Sequence, residues 1–268
     1  MMFNFLIYLF IFVFGLICGS FLNCVIYRLA LPSFSLKNLG GLKGRSYCPH
    51  CKHILNWRDL IPIFSFLILK GKCRYCSQKI SWQYPLVELA TGILFVLVIH
   101  YTFSNFLFSI FYFLISCFLI IIFVYDLKHY IIPDKVIYPA IGIAFFYRLF
   151  EICLSAEALA KAENLGFGIL PSLFFLAIII FSREKWLGFG DFKLAILMGL
   201  FLGWPKILVA LFLAFFIGAI IGIELIILGK KTLKSEIPFG PFLISGTFLA
   251  LFFGQKILDW HLSFFLLK

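Results

Sequence analysis

Two aspartates and four cysteines are the residues whose types and spacing could do chemistry in this chain of 268 residues. Asp191 stands in Gly188-Phe-Gly-Asp-Phe-Lys193, between an apolar run that ends at Phe181 and another that begins at Phe192. A carboxylate at the edge of hydrocarbon is costly and usually faces a protein interior or a wet cavity, which makes it a functional candidate by default. Gly188 and Gly190 carry no Cβ, so they let the backbone turn sharply and let an extended peptide approach; both are expected to be substrate-binding positions. Asp126 ends a second apolar run, in Tyr125-Asp-Leu-Lys-His-Tyr-Ile-Ile-Pro-Asp134. A helix C-terminus disfavours negative charge, which suits an acid that must hold a proton. Two carboxyls sharing one site cannot both ionise cheaply, so one keeps a proton while the other stays charged, and the pair is a ready acid and base.

Cys48-Pro-His-Cys51 and Cys73-Arg-Tyr-Cys76 form two C-x2-C pairs whose separation is just longer than the usual template for a four-thiolate zinc site. Each pair folds as a knuckle that aims two sulfurs at one ion. A segment this small buries too little core to fold alone, and a metal supplies the missing free energy. Four sulfurs close the coordination shell, so the zinc would be structural. His50 and His53 lie beside the first knuckle and offer alternative ligands. Cys18, Cys24, Cys117 and Cys153 lie in or at the ends of apolar runs and read as small hydrophobes.

The elements that must position these residues are membrane helices. At 63% hydrophobic and 13% charged residues, the chain has too little polar surface for a soluble globule. Runs of spanning length occur at 3–27, 84–101, 106–125, 136–153, 165–181, 207–228 and 237–253. An eighth, 192–204, is short, but Gly203-Trp-Pro205 reads as a turn that pairs it with the next run as a hairpin. The expected fold is therefore all-α and polytopic, with about eight transmembrane helices. No Lys or Arg precedes the first run, which reads as a retained anchor. The expected division is a first helix at 1–27, a cytoplasmic tetracysteine domain at 28–83 and a membrane-embedded catalytic domain at 84–268.

With the N-terminus outside, segments 28–83, 126–135, 182–193 and 230–236 face the cytoplasm and hold 18 of the 23 Lys and Arg residues. The retention of basic residues in the cytoplasm selects that orientation and puts both aspartates at the cytoplasmic face. The segment 28–83 holds ten Lys or Arg and one acid, Asp59. This reads as the positive-inside pattern, helped by anionic lipid headgroups, and no nucleic-acid partner is expected of a small domain tethered at both ends. Glu88 and Glu224 read as acids that reach the headgroups, and Asp134 as a helix-start acid favoured by the dipole.

Taken together and in order, Gly19-Ser-Phe-Leu-Asn-Cys-Val-Ile-Tyr-Arg28, the two cysteine pairs, Asp59-Leu-Ile-Pro62, Tyr84-Pro-Leu-Val-Glu88, Asp126 with Ile132-Pro-Asp134, Gly188-Phe-Gly-Asp191 and Pro238-Phe-Gly-Pro241 resemble the type IV prepilin leader peptidases. These are intramembrane aspartyl proteases with a Gly-x-Gly-Asp motif. The resemblance implies that Asp126 and Asp191 are the catalytic pair and that the substrates are prepilins or pseudopilins of type IV pilus or type II secretion systems. It further implies a short basic leader cut on the cytoplasmic side of the bacterial inner membrane, and N-methylation of the new N-terminus from S-adenosylmethionine. No glycine-rich nucleotide fingerprint accompanies the second activity. A basic leader is repelled by the ten-cation segment, so recognition is expected to rest on the pilin's apolar helix, with Asp126, Asp134 and Glu184 near the cut. The rival reading, an ion or proton-coupled transporter with paired intramembrane acids, explains the aspartates but not the cysteines, and the hydropathy shows no matching halves.

Overall fold

The computed structural model describes residues 2–31, 44–102, 106–154, 158–183, 187–232 and 235–266. Among them the helices are α1 (Met2–Leu29), α2 (Phe64–Ile68), α3 (Gln83–Tyr101), α4 (Phe106–His129), α5 (Asp134–Cys153), α6 (Ala158–Ser182), α7 (Phe189–Leu202), α8 (Lys206–Ile227) and α9 (Gly240–Leu266), with a 3₁₀ turn at Trp57–Leu60. The chain divides into two compact units, Met1–Ile121 and Ile122–Lys268, so α3 and most of α4 belong with the cysteine segment and the boundary falls inside α4.

Seven helices, α1, α3, α4, α5, α6, α8 and α9, are long and apolar enough to cross a membrane. The short eighth run is also helical, but α7 has only 14 residues, about 21 Å against a hydrocarbon thickness of about 30 Å. Its composition explains its place. From Leu194 to Leu202 almost every side chain is buried, as expected of a helix apolar on all sides. It packs against α5, α6, α8 and α9 and forms the centre of the second unit.

In the first unit α1 and α3 run antiparallel, with Tyr8 Oη near His100 Nδ1 (3.1 Å) at one end and Asn23 Nδ2 donating to the Tyr84 carbonyl (3.1 Å) at the other. In lipid no hydrophobic force drives two apolar helices together, so close packing must do it, and small residues permit that. Gly15 and Gly19, four apart on α1, meet α3 at this seam. A Cβ on Gly15 would lie 2.7 Å from Gly92 Cα, and one on Gly19 2.7 Å from Glu88 Cα.

The second unit is closed at the far end of α7 by Arg148 of α5. Its guanidinium donates to the Leu200 carbonyl (2.5 Å) and the Phe201 carbonyl (3.1 Å), groups that the end of a helix leaves without partners. Gly203 follows with φ 69°, and a side chain there would strike the same guanidinium.

Candidate active site and metal centre

Asp126 lies in the last turn of α4 and is only 4% exposed. The helix stops at His129 because the next residue, Tyr130, turns into the left-handed region (φ 58°), its amide donating back to the Asp126 carbonyl at 2.8 Å. Asp191 is the third residue of α7. Its carboxylate accepts from the Gly188 amide at 3.3 Å, as the acid of a capping box does. Although 65 residues separate them, the two aspartates come to one place, because Ile132 stands against Gly190 beside Asp191 and against Gly240 beside Asp126.

Three residues close around the pair. The Gly240 amide, at the start of α9, donates to the Asp126 carboxyl. A Cβ on Gly240 would sit 2.5 Å from Asp126 Oδ2, so only glycine allows the backbone to lie against that acid. Ile132, in the α4–α5 connection, touches both sides: its Cδ1 lies 3.5 Å from the Cβ position of Gly240 and 3.3 Å from that of Gly190. The neighbour that Gly190 accommodates in this structure is therefore Ile132. Gly188 meets no neighbour beyond its own turn, the nearest being Asp191 Oδ2 at 3.7 Å.

The four cysteines converge as their spacing predicts. The Sγ atoms of Cys48, Cys51, Cys73 and Cys76 all lie within 4.8 Å of one another, and Cys48 and Cys76 are 3.9 Å apart. Four sulfurs at ~2.3 Å from a tetrahedral ion stand about 3.8 Å apart, so the donor set fits zinc. Two equivalent knuckles build it. In each, the first cysteine's amide donates to the carbonyl five residues on, Cys48 to His53 (3.0 Å) and Cys73 to Gln78 (2.8 Å). In each, the residue after the second cysteine takes positive φ, Lys52 at 59° and Ser77 at 57°. Burial pushes the Cys48 thiol up, but the backbone amides of Cys51 and His50 and the thiols of Cys51 and Cys73 outweigh it and bring it to about 7, which favours the thiolate that a metal needs. His53 is engaged elsewhere, stacked on Tyr75 with ring centroids 3.7 Å apart.

Comparison with known proteins gives the family. The family described as "Bacterial Peptidase A24 N-terminal domain" matches residues 13–102, and "Type IV leader peptidase family" matches residues 113–223. A prepilin leader peptidase/N-methyltransferase of Aeromonas hydrophila is 32% identical over 96% of this chain and 94% of its own length. Proteins of the same name from Stutzerimonas stutzeri and Pseudomonas aeruginosa are 32% and 31% identical, covering 94% and 93% of this chain and 92% and 91% of their own lengths. The chain belongs to the type IV leader peptidase family. No solved structure matches it. The peptidase is a multi-pass protein of the bacterial inner membrane, and the transporter reading finds no support.

The peptidase's other acids divide by environment. Asp134, the first residue of α5, is more than a helix-start acid, because its Oδ1 accepts from Lys193 Nζ at 2.5 Å. Lys193 also lies 4.9 Å from the Tyr138 ring centroid, so this contact holds the first turn of α7, and Asp191 with it, against α5. Glu88 does not reach out to the headgroups: it is buried, its Oε2 accepts the Ile63 amide at 2.8 Å, and Ser20 of α1 is a second partner. Glu224 is exposed. Glu184 lies outside the described residues.

Asp59 ties the 3₁₀ turn to the second knuckle. It accepts from Arg74 Nε (2.7 Å), Tyr75 Oη (3.1 Å) and the Asn56 amide (3.2 Å). Burial pushes its carboxyl up, but these three donors outweigh that and hold it below its ordinary value.

Sequence reasoning assigned no role to Gly240, Ile132, Lys193 or Arg148. Gly240 and Ile132 did stand in quoted motifs, and a glycine between Phe239 and Pro241 at the start of an apolar run was the legible signal.

Proposed function

We propose that Asp126 and Asp191 hydrolyse the peptide bond that joins a short basic leader to the apolar helix of a prepilin or pseudopilin. The ionised carboxylate takes a proton from water as the oxygen attacks the scissile carbonyl. The protonated partner donates to the carbonyl oxygen, and collapse of the tetrahedral intermediate expels the amine, which leaves with a proton returned by the pair. Gly240 holds one acid through its amide, and the Gly188 turn holds the other. Gly188, open beyond its own turn, gives the extended substrate room beside Asp191, and Gly190 does so where the strand displaces the Ile132 side chain. The observation that carries this reading is the convergence of two aspartates from distant helices around Ile132, in a chain whose family is one of leader peptidases.

The N-terminus lies outside and the catalytic pair faces the cytoplasm, a reading supported by the distribution of Lys and Arg. Zinc on Cys48, Cys51, Cys73 and Cys76 supplies folding free energy to the small domain and takes no part in hydrolysis. The relatives' double name supports a second activity, N-methylation of the new N-terminus from S-adenosylmethionine. No residue is assigned to it. The test is incubation of the purified peptidase with a prepilin in lipid. A shortened pilin is expected, and Asp126→Asn and Asp191→Asn should each leave the leader in place; processing by either variant at the parental rate refutes the two-aspartate mechanism.

A further inference from the structure

The tetracysteine domain carries an apolar surface that its own core does not use. Phe64, Leu67 and Ile68 of α2 are exposed, Ile68 by 73%, and Trp57 and Trp82 are exposed beside them in sequence, by 70% and 68%. Positions 64, 67 and 68 share one helix face. Phe66 takes the opposite role, with its ring 5.0 Å from that of Trp82 and its Cζ 3.1 Å from the Cβ position of Gly71. The short helix therefore puts one aromatic inward and three large apolar groups outward.

The contact of Ile63 with Glu88 sets the depth at which this surface lies. Glu88 is the sixth residue of α3, about 8 Å along a helix of spanning length. Its carboxylate holds the Ile63 amide at the first residue before α2. Ile63 has φ 60°, a conformation that a β-branched residue adopts only when its surroundings impose it. The bend after Pro62 puts the start of α2 beside the second turn of α3, near one end of a helix of spanning length.

Charge completes the match. Segment 28–83 has ten Lys or Arg against Asp59 alone. Arg58 stacks over Trp57 at 5.3 Å, and Lys70 and Lys72 follow α2 directly, all three exposed. Exposed tryptophans with basic side chains that reach past them are the composition of a membrane interface. An apolar helix face with flanking cations binds bilayers through buried area and attraction to anionic lipid together.

We propose that the Trp57–Leu60 turn and α2 form an interfacial anchor that docks the tetracysteine domain on the anionic phospholipid surface of the bilayer that α1 and α3 cross. The domain then lies on the membrane plane, held by Glu88 from the protein side and by Trp57, Phe64, Leu67 and Ile68 from the lipid side. Occupation of the same surface by the apolar helix of a substrate or by a second copy of the chain is the competing outcome.

The test uses the full, zinc-loaded chain in vesicles of phosphatidylcholine and phosphatidylglycerol. Two forms are compared, one retaining Trp57 as its only tryptophan and one carrying Leu67→Trp in a background with the native tryptophans changed to phenylalanine. Lipids brominated high on the acyl chain should quench both probes more strongly than lipids brominated near the methyl end, and more in anionic than in neutral vesicles. Phe64→Ser with Ile68→Ser should abolish quenching of Trp57 while the zinc content stays at the parental level. Trp57 fluorescence indifferent to every brominated lipid, with zinc retained, overturns the proposal. So does quenching that disappears on addition of purified prepilin or on raising the protein-to-lipid ratio. Should Leu67→Trp fail to bind zinc, the Trp57 form alone decides.

Discussion

The cysteine cluster and the aspartate pair bring chemistry-bearing side chains together in opposite ways. Cys48 and Cys51, like Cys73 and Cys76, are set by knuckles whose hydrogen bonds close within six residues. Four positions in sequence thus become one site once the two knuckles meet, through contacts such as His53 with Tyr75 and Asp59 with Arg74. Asp126 and Asp191 have no such local device. One sits at the end of α4 and the other at the start of α7, and Gly240 and Ile132 come from elsewhere in the chain to hold them, as Asp134 does through Lys193. A site built from local turns depends on its ligand to stay folded, whereas a site built from packed helices depends on the absence of side chains at a few positions.

The largest expected effect breaks one site and spares the other. Asp126→Asn or Asp191→Asn should lower prepilin cleavage at least on the order of a hundredfold, since loss of a positioned acid or base costs about that much or more. Zinc content and abundance should stay normal, which metal analysis and immunoblotting of the purified variants check. Conversely, Cys48→Ser, or strong chelation of the parent, should release the metal and expose the other thiols to alkylation while α5 to α9 remain resistant to protease. Stoichiometric zinc in Cys48→Ser would remove the four-thiolate assignment.

Glycine substitutions give the next effect. Gly240→Ala drives a methyl group toward Asp126 Oδ2, and a displacement of about 1 Å at the reacting groups can cost on the order of a hundredfold in rate. Gly190→Ala should also slow cleavage, and Ile132 allows its two causes to be separated. Where the methyl group merely strikes Ile132, adding Ile132→Ala restores the rate. Where it intrudes on the substrate strand, the double variant stays slow, and cleavage kinetics of the four forms distinguish the two.

Smaller effects attach to the ion pairs. Asp134→Asn loses its link to Lys193 but leaves Asp126 and Asp191 in place. Its side chain is 61% exposed, so the loss should be about 0.3 to 1 kcal/mol and a few-fold in rate. Asp59 has a lowered carboxyl, so it contributes stability above the ordinary aspartate value that is lost as pH falls through its lower folded value. The difference in domain stability between the parent and Asp59→Asn should therefore be constant near neutrality and vanish only below about pH 4. A difference that changes between pH 6 and 8, on the order of two units above that range, would assign the effect to another group.

Hydropathy alone determined the all-helical class and the seven helices of spanning length, because a bilayer imposes a length and an apolar composition that a linear string displays. The C-x2-C spacing determined the four-sulfur cluster for a related reason: a knuckle is a local object, and its two sulfurs are close in sequence as they are close in space. Asp126 and Asp191 were legible as costly charges in apolar surroundings. What held them was not. That α7 is a short central helix, that Gly240 presses on Asp126, that Ile132 fills the space beside Gly190 and that Glu88 turns inward to Ile63 are all contacts between residues far apart in the chain. A one-dimensional pattern records which side chains shun water or carry charge. Which of them meet is settled only when helices pack, because in lipid the close fit of small residues and the pairing of buried polar groups, not apolarity, choose each helix's neighbours.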